Sequence, residues 1–467
     1  MRICTFFLMS TLALSVAVNQ PVHAQVFTVL HTFSNNNAGT NPDGANPTGS
    51  LLLSGNTLFG TASAGGTNGK GTIFAINADG GGFTAIHAFN GLDGAYPKGS
   101  LVLSSGVLFG TTSSGGSNQA GTIFAVNCDG SEFTVLHTFA ALKTNNFRVF
   151  TNSDGGTPYA SLLLCDNKFY GTTSAGGING GGTLFSIKTD GTEFQVLHAF
   201  TNADGTSSRS DLILSGSTLY GTAFSGGSNG GGTVFAIDTN GANFRVVHAF
   251  NGSDGAGPCA GLILSGDMLY GTTEFGGIYG SDGVLFSGKT NGDGFTALYL
   301  FTDMKDGAQP KAGLLLSGNV LYGMSYVGGG GCIFSLNTNG TVFTALHPIN
   351  SNTEGANPGG ALISSGTTLY GTTTYGALSY GTVFSLTIPV PYITNISLTG
   401  SNLVMNVING VIGGTYTVLM SPDMTLPLYE WMPVGSNVLT ASKNFAITVT
   451  NAVDPTAPQR FYTLERQ

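Results

Sequence analysis

His31, His87, His137, His198, His248 and His347 all stand fifth in one recurring seven-residue phrase, which reads FTVLHTF at 27–33, FTAIHAF at 83–89 and FQVLHAF at 194–200; Tyr299 holds that position in FTALYLF at 295–301. Imidazole nitrogens ligate zinc at about 2.1 Å, but equivalent histidines on separate sheets, packed about 10 Å apart, cannot share one ion. They are expected to be packing histidines hydrogen-bonded between sheets, and tyrosine keeps both bulk and a polar tip at the same place. Strict alternation along 27–33 puts Phe27, Val29, His31 and Phe33 on one face. Asp43, Asp93, Asp154, Asp204, Asp254 and Asp306 each precede a glycine, and Glu354 takes that position in the last repeat. Calcium needs six to eight oxygens from a defined loop, and no spaced series of acids surrounds these residues, so they read as turn formers bonded to their own loop. No metal and no other cofactor is expected.

Two acids, Asp211 and Glu274, break the repeat pattern. Glycoside hydrolysis needs two carboxyls about 5 to 10 Å apart in a pocket, so this pair is the only catalytic chemistry on offer. Glycine-rich loops such as SGGSNGGG at 225–232 lack the following Lys-Ser/Thr and helix of a phosphate cradle. The loop after each LYGT-like stretch changes along the chain. It holds Ser63-Ala64, Ser113-Ser114 and Ser174-Ala175 in the first three repeats, then Phe224, Glu274-Phe275, Tyr326 and Tyr375, with Tyr279 and Tyr380 further along. Successive repeats would set these aromatics in an arc on one face, a platform for sugar rings or a protein chain. The candidate ligand-binding residues are therefore Phe224, Glu274, Phe275, Tyr326 and Tyr375, with no catalytic residue and no metal ligand assigned. A long loop from Ala140 to Gly156, carrying Lys143 and Arg148, is the second candidate.

The elements that must position these residues are short strands. The first repeat runs SLLLSG (50–55), TLFGTA (57–62), GTIFAI (71–76) and FTAIHAF (83–89), apolar runs separated by turn residues. The last two are joined by NADGGG, a hairpin loop built on Asp-Gly. Each unit is a four-stranded antiparallel meander, and its fifth-position residues recur at intervals of 56, 50, 61, 50, 51 and 48. The chain opens on a fourth strand, 27–33, and its seventh repeat stops after a third, GTVFSL at 381–386. Pairing those two segments closes a seven-bladed β-propeller over 25–389. An open β-solenoid, the alternative, has no need of complementary half-repeats at its ends.

Taken together, F-x-x-L-H-x-F, D-G-x-x-P, L-Y-G-T-T, G-G and G-T-V-F resemble the Gloeo/Verruco tandem repeat (GloVer) over about residues 25–389. That resemblance implies a secreted bacterial propeller-like protein, and it brings no established activity, cofactor or catalytic residue to transfer.

Beyond Pro389 and Pro391 the texture changes to ITNISLTG, NLVMNVI, TYTVLMS, NFAITVT and FYTLER. These alternating runs predict a small immunoglobulin- or fibronectin-like β-sandwich at 390–467. At the other end, Arg2, an apolar run to Val18 and Val22-His23-Ala24 read as a signal peptide over 1–24. No later stretch offers a membrane span, which takes about 20 apolar residues. Lys and Arg number 15 against 24 Asp and Glu, a net charge of −9, which argues against nucleic acid as a partner. Charged residues make up only 8% of the chain, against about 25% in an average soluble domain. Cys128, Cys165, Cys259 and Cys332 fall at irregular places with no Cys-x-x-Cys spacing. The expected location is extracellular or cell-surface, with the periplasm as the other compartment a leader allows. The expected function is binding of a polysaccharide or cell-surface protein on the propeller scaffold. A matrix component without a specific ligand is the second reading and a carbohydrate-active enzyme the third; no oligomeric state is read from the sequence.

Overall fold

The computed structural model describes residues 5–9, 14–15, 25–34, 41–145, 149–277, 282–302, 306–376, 380–389, 392–408, 415–423, 430–438, 445–450, 452 and 459–466. Among the described residues there is no α-helix, and strands joined by glycine-rich turns make up the repeats. The second repeat shows the plan: Val102–Ser104, Val107–Thr112, Thr122–Asn127 and Thr134–Thr138 lie side by side, antiparallel, in chain order. All seven repeats build such a sheet, and no sheet closes on itself. In the first sheet an additional strand, Asn41–Pro47, joins Thr57–Gly66. The seventh takes its fourth strand from the far end of the chain, Val26–Thr32 on Thr382–Thr387, with Phe27 opposite Leu386 and Thr32 opposite Thr382.

The repeated phrases follow from how the two middle strands meet. Gly60 of TLFGTA lies directly across from Phe74 of GTIFAI. A Cβ on Gly60 would stand 2.3 Å from Phe74 Cζ, so only glycine lets the ring lie flat over the second strand. The hairpin between third and fourth strands carries Asx turns, in which the Asp79, Asp129 and Asp190 carboxylates accept N–H bonds from two residues on.

The apolar core lies between sheets rather than within them. Tyr170, Leu184 and Phe200 of the third sheet pack with Leu212, Leu219 and Phe235 of the fourth. Phe33, Tyr370 and Val383 of the seventh pack in the same way with Leu51, Leu58 and Phe74 of the first. Near the first strands the sheets also share hydrogen bonds: Thr61 Oγ1 donates to Gly99 O at 3.1 Å, Thr111 Oγ1 to Ala160 O at 3.0 Å, and Thr372 Oγ1 to Gly49 O at 3.5 Å.

Strict alternation along the fourth strand does not hold. In each sheet the register slips by one residue, at Val29/His31 in the seventh and Ile73/Phe74 in the first, which marks a β-bulge. In the strand 26–32 the unpaired residue is Leu30, so Phe27 and His31 turn to opposite sides. Phe27 meets His347 of the sixth sheet and His31 meets Phe83 of the first.

The C-terminal strands form two antiparallel sheets. One orders Tyr392–Thr399, Asn402–Ile408 and Phe445–Val449; the other sets Thr415–Ser421 between Met432–Val438 and Gln459–Arg466, with Thr5–Met9 against the far side of Gln459–Arg466. Residues of both sheets, among them Ile396, Met405, Tyr416, Val418 and Ile447, share one buried cluster. The strand Met432–Val438 was not expected. It contains Pro433 and Gly435 and occupies the sheet edge, where a missing N–H is tolerated.

Candidate functional site

The histidines are packing residues of a specific kind. Each Nε2 bonds the acid that precedes the next repeat's first strand: His31 to Asp43 at 3.2 Å, His87 to Asp93 and His137 to Asp154 at 3.1 Å, His248 to Asp254 at 2.8 Å and His347 to Glu354 at 2.8 Å. Tyr299 Oη donates to Asp306 at 2.6 Å in the same position. The hydrogen bond is thus to the loop that follows the histidine's own strand, and it is the ring that bridges sheets. His31 stacks on Phe83 at 3.6 Å, His198 on Phe244 at 3.7 Å and His248 on Phe295 at 4.2 Å, and His347 returns to Phe27 at 4.4 Å. The acids, expected to bond within their own turn before glycine, instead reach back: Asp93 also accepts the Asn90 N–H at 2.8 Å and Asp254 the Asn251 N–H at 2.9 Å. Burial raises the Asp43 carboxyl, but bonds from His31 and the Ser34 N–H outweigh it and hold its pKa below the usual value. His87 is lowered, because burial outweighs the attraction of Asp93.

A cavity of about 550 Å³ is the second feature, and all seven repeats line it. Its rim comes from one position, two residues before the first-strand polar residue, occupied in turn by Thr48, Lys98, Tyr159, Arg209, Cys259, Lys311 and Gly359. The position two residues on lines it too, polar in four repeats as Ser50, Ser100, Ser161 and Asp211 and small in three as Gly261, Gly313 and Ala361. There side chains cap the neighbouring sheet's backbone. Ala361 N donates to Ser50 Oγ at 2.8 Å, Ser50 N to Ser100 Oγ and Ser100 N to Ser161 Oγ at 2.9 Å, and Ser161 N to Asp211 Oδ1 at 2.7 Å. Burial raises the Asp211 carboxyl, opposed by the Ser161 amide.

The expected site residues are partly brought together here. Tyr326 and Tyr375 line the cavity; Tyr375 is 49% exposed, while Tyr326 lies beneath Lys311, whose Nζ is 4.0 Å from the ring centroid. Phe224 flanks the cavity with the Arg209 guanidinium 4.5 Å from its ring, and Phe275 meets Phe224 edge to face at 6.4 Å. Glu274 is buried, and its Oε1 binds Lys311 Nζ at 3.0 Å. Asp211 and Glu274 are therefore engaged by different partners, one by an amide and the other by an ammonium. Tyr279 and Arg148 lie outside the described residues, and Lys143–Thr144 pairs with Phe150–Thr151 in a small hairpin. Sequence reasoning missed Lys98, Tyr159, Arg209 and Lys311. The signal is present in the sequence: the position two residues before Asp211 and its equivalents departs from the repeat more than the loop after LYGT does.

Burial pushes the Cys259 thiol in the cavity wall up to about 12, with Glu274 adding to the effect, so this cysteine is a poor nucleophile at neutral pH. Among the described residues no group of three or more His, Cys, Asp or Glu side chains is arranged to hold a metal ion, and no helix is long and apolar enough to cross a membrane.

No curated protein sequence matches the chain. Among solved structures it is similar to oligogalacturonate lyase from Vibrio parahaemolyticus, at 12% identity over 79% of this chain and 98% of that one with a TM-score of 0.45. It is similar also to a putative 6-phosphogluconolactonase from Bacteroides uniformis, at 15% identity over 86% and 99% with a TM-score of 0.42. TolB from Acinetobacter baumannii matches at 12% identity over 58% of each chain with a TM-score of 0.35. The family model for the Gloeobacter/Verrucomicrobia repeat matches residues 20–148 and 142–330, most of the repeat region whose phrases are described above. The chain belongs to the Gloeobacter/Verrucomicrobia repeat family.

Proposed function

We propose that this chain is a secreted or cell-surface binding protein, a closed seven-bladed β-propeller followed by a small β-sandwich, whose central cavity takes a polysaccharide or another surface ligand. Closure is supported by the strand 26–32 completing the seventh sheet and by a cycle of ring stacks that returns from His347 to Phe27. The leader over 1–24 supports the location, and cutting it would take Thr5–Met9 off the edge of the C-terminal sheet. One observation carries the binding reading: the positions that depart most from the repeat converge on a single open cavity, mixing aromatic rings with cations. A ring of near-identical units needs like residues wherever units pack, and nothing in that packing asks for Lys98, Tyr159 and Arg209 at equivalent places. A glycan array probed with the mature chain tests the reading. Binding that is lost in the Tyr326→Ala, Tyr375→Ala double variant while the melting temperature holds within a few degrees is the expected result. Binding that the double variant retains in full removes the cavity from the proposal.

A further inference from the structure

The charges in the cavity narrow the class of ligand. Lys98 Nζ lies 4.3 Å and the Arg209 guanidinium 5.5 Å from the centre of one ring, Tyr159, and Arg209 also lies 4.5 Å from the Phe224 ring. The two charges are thus no further apart than the first two distances together. Among the described residues neither is ion-paired, whereas Lys311 is held by Glu274. Among the described residues that line the cavity the one acid is Asp211, which accepts the Ser161 N–H at 2.7 Å. A guanidinium lying over aromatic faces keeps its in-plane N–H donors free, and that planar fork matches a two-oxygen anion. A chain with only 15 basic residues and a net charge of −9 therefore gathers, with exposed Tyr375 at one cavity, two cations that stand outside any ion pair among the described residues.

We infer that the cavity binds an acidic saccharide, a sugar chain bearing carboxylate or sulfate groups, with Arg209 and Lys98 receiving the anionic groups and Tyr375 offering a face for a sugar ring. This inference rests on the proposal that the cavity is the binding site. Neutral glycans offer the two cations hydroxyl acceptors but no opposite charge, so they bind less well.

The test uses the full mature chain in titration calorimetry against three probes of equal length: a uronic acid oligomer, a sulfated oligosaccharide and a neutral glucose oligomer. At least one acidic probe is expected to bind about tenfold or more tighter than the neutral one, and to weaken as salt rises because the cations are reached from solvent. Which acidic probe binds tighter identifies the anionic group. Arg209→Gln and Lys98→Gln are each expected to lower that affinity about tenfold, with Arg209→Lys between, since charge survives but the fork does not. Melting curves of the variants should overlay the parent, because Arg209 is exposed and Lys98 half-buried. Neutral and acidic probes binding equally, or the Arg209→Gln, Lys98→Gln double variant binding unchanged, overturns the inference and leaves a glycan site standing. Failure of all three probes overturns the glycan reading with it.

Discussion

The fourth-strand positions and the cavity rim are each sampled seven times, once per repeat, and they behave in opposite ways. On the fourth strands, six histidines and one tyrosine make the same bond to an acid and the same stack on the next phenylalanine. Around the cavity, Thr48, Lys98, Tyr159, Arg209, Cys259, Lys311 and Gly359 are six residue types at one place. The difference follows from what each position faces. A ring wedged between two sheets about 10 Å apart has one geometry that fills the gap and satisfies its polar atom. A side chain that opens onto a cavity is free of that demand, and whatever is found there reflects something other than packing.

The largest effect is expected where the closing contact is compared with an internal one. Phe33 and Phe200 are both fully buried at equivalent places, so Phe33→Ala and Phe200→Ala should each cost about 3–5 kcal/mol in denaturant unfolding. Loss at Phe200 with less than about 1 kcal/mol at Phe33 would show that the last and first sheets do not pack as the others do. Next comes His198→Ala, expected to cost roughly 1–3 kcal/mol through the lost bond to Asp204 Oδ2 and lost volume. A melting temperature that drops on chelation and recovers with zinc would contradict a packing role. The equivalent stack at His87 carries a pH dependence. Burial holds the His87 pKa below its ordinary value of about 6.5, so the unfolded chain takes up the proton first. Its contribution is present above that value and is lost as pH falls through the interval beneath it. Unfolding midpoints between neutral pH and pH 5 should decline less steeply in His87→Phe.

Smaller effects distinguish positions within the sheet contacts nearest the cavity. Thr111 Oγ1 is buried and bonded to Ala160 O, while Thr172 Oγ1, at the same place one repeat on, is buried without a partner among the described residues. Thr111→Val should cost about 1 kcal/mol and Thr172→Val should be neutral or stabilising; equal losses would show that the hydroxyl bond is not what matters. The smallest effect belongs to Tyr375→Ala, expected within about 0.5 kcal/mol because the ring is half exposed. A loss of several kcal/mol in thermal unfolding would make it a packing residue.

The period, the four strands per repeat and the pairing of 26–32 with 382–387 were all legible, because half-repeats at the two ends leave each other as the only available partner. The bulge was not. Leu30 looks like any other apolar strand residue, and nothing in its chemistry announces that it drops out of the ladder. Nor was the partnership of His31 with Asp43, since spacing from histidine to acid runs from six residues at His87 to seventeen at His137, and a loop of any length can return a carboxylate to the same place. Of the expected site, Tyr326 and Tyr375 reach the cavity and Glu274 does not. A carboxylate left buried beside Lys311 is cheaper paired than free, and a sequence does not reveal which lysine will arrive.

The strand Val26–Thr32 also sets a timetable. It is among the first segments to be made, and its place in the seventh sheet, against Thr382–Thr387, comes into being only when almost the whole chain has been synthesised. Through that interval the strand has no ladder to join and Phe27 lacks His347 and Phe384, and a chain that exposes apolar strand edges while it waits is a substrate for holding factors or for premature association. Moving the break, so that synthesis begins at the first strand of a repeat and ends at its fourth, would give every repeat sheet all its strands in sequence and let each one form as it is made.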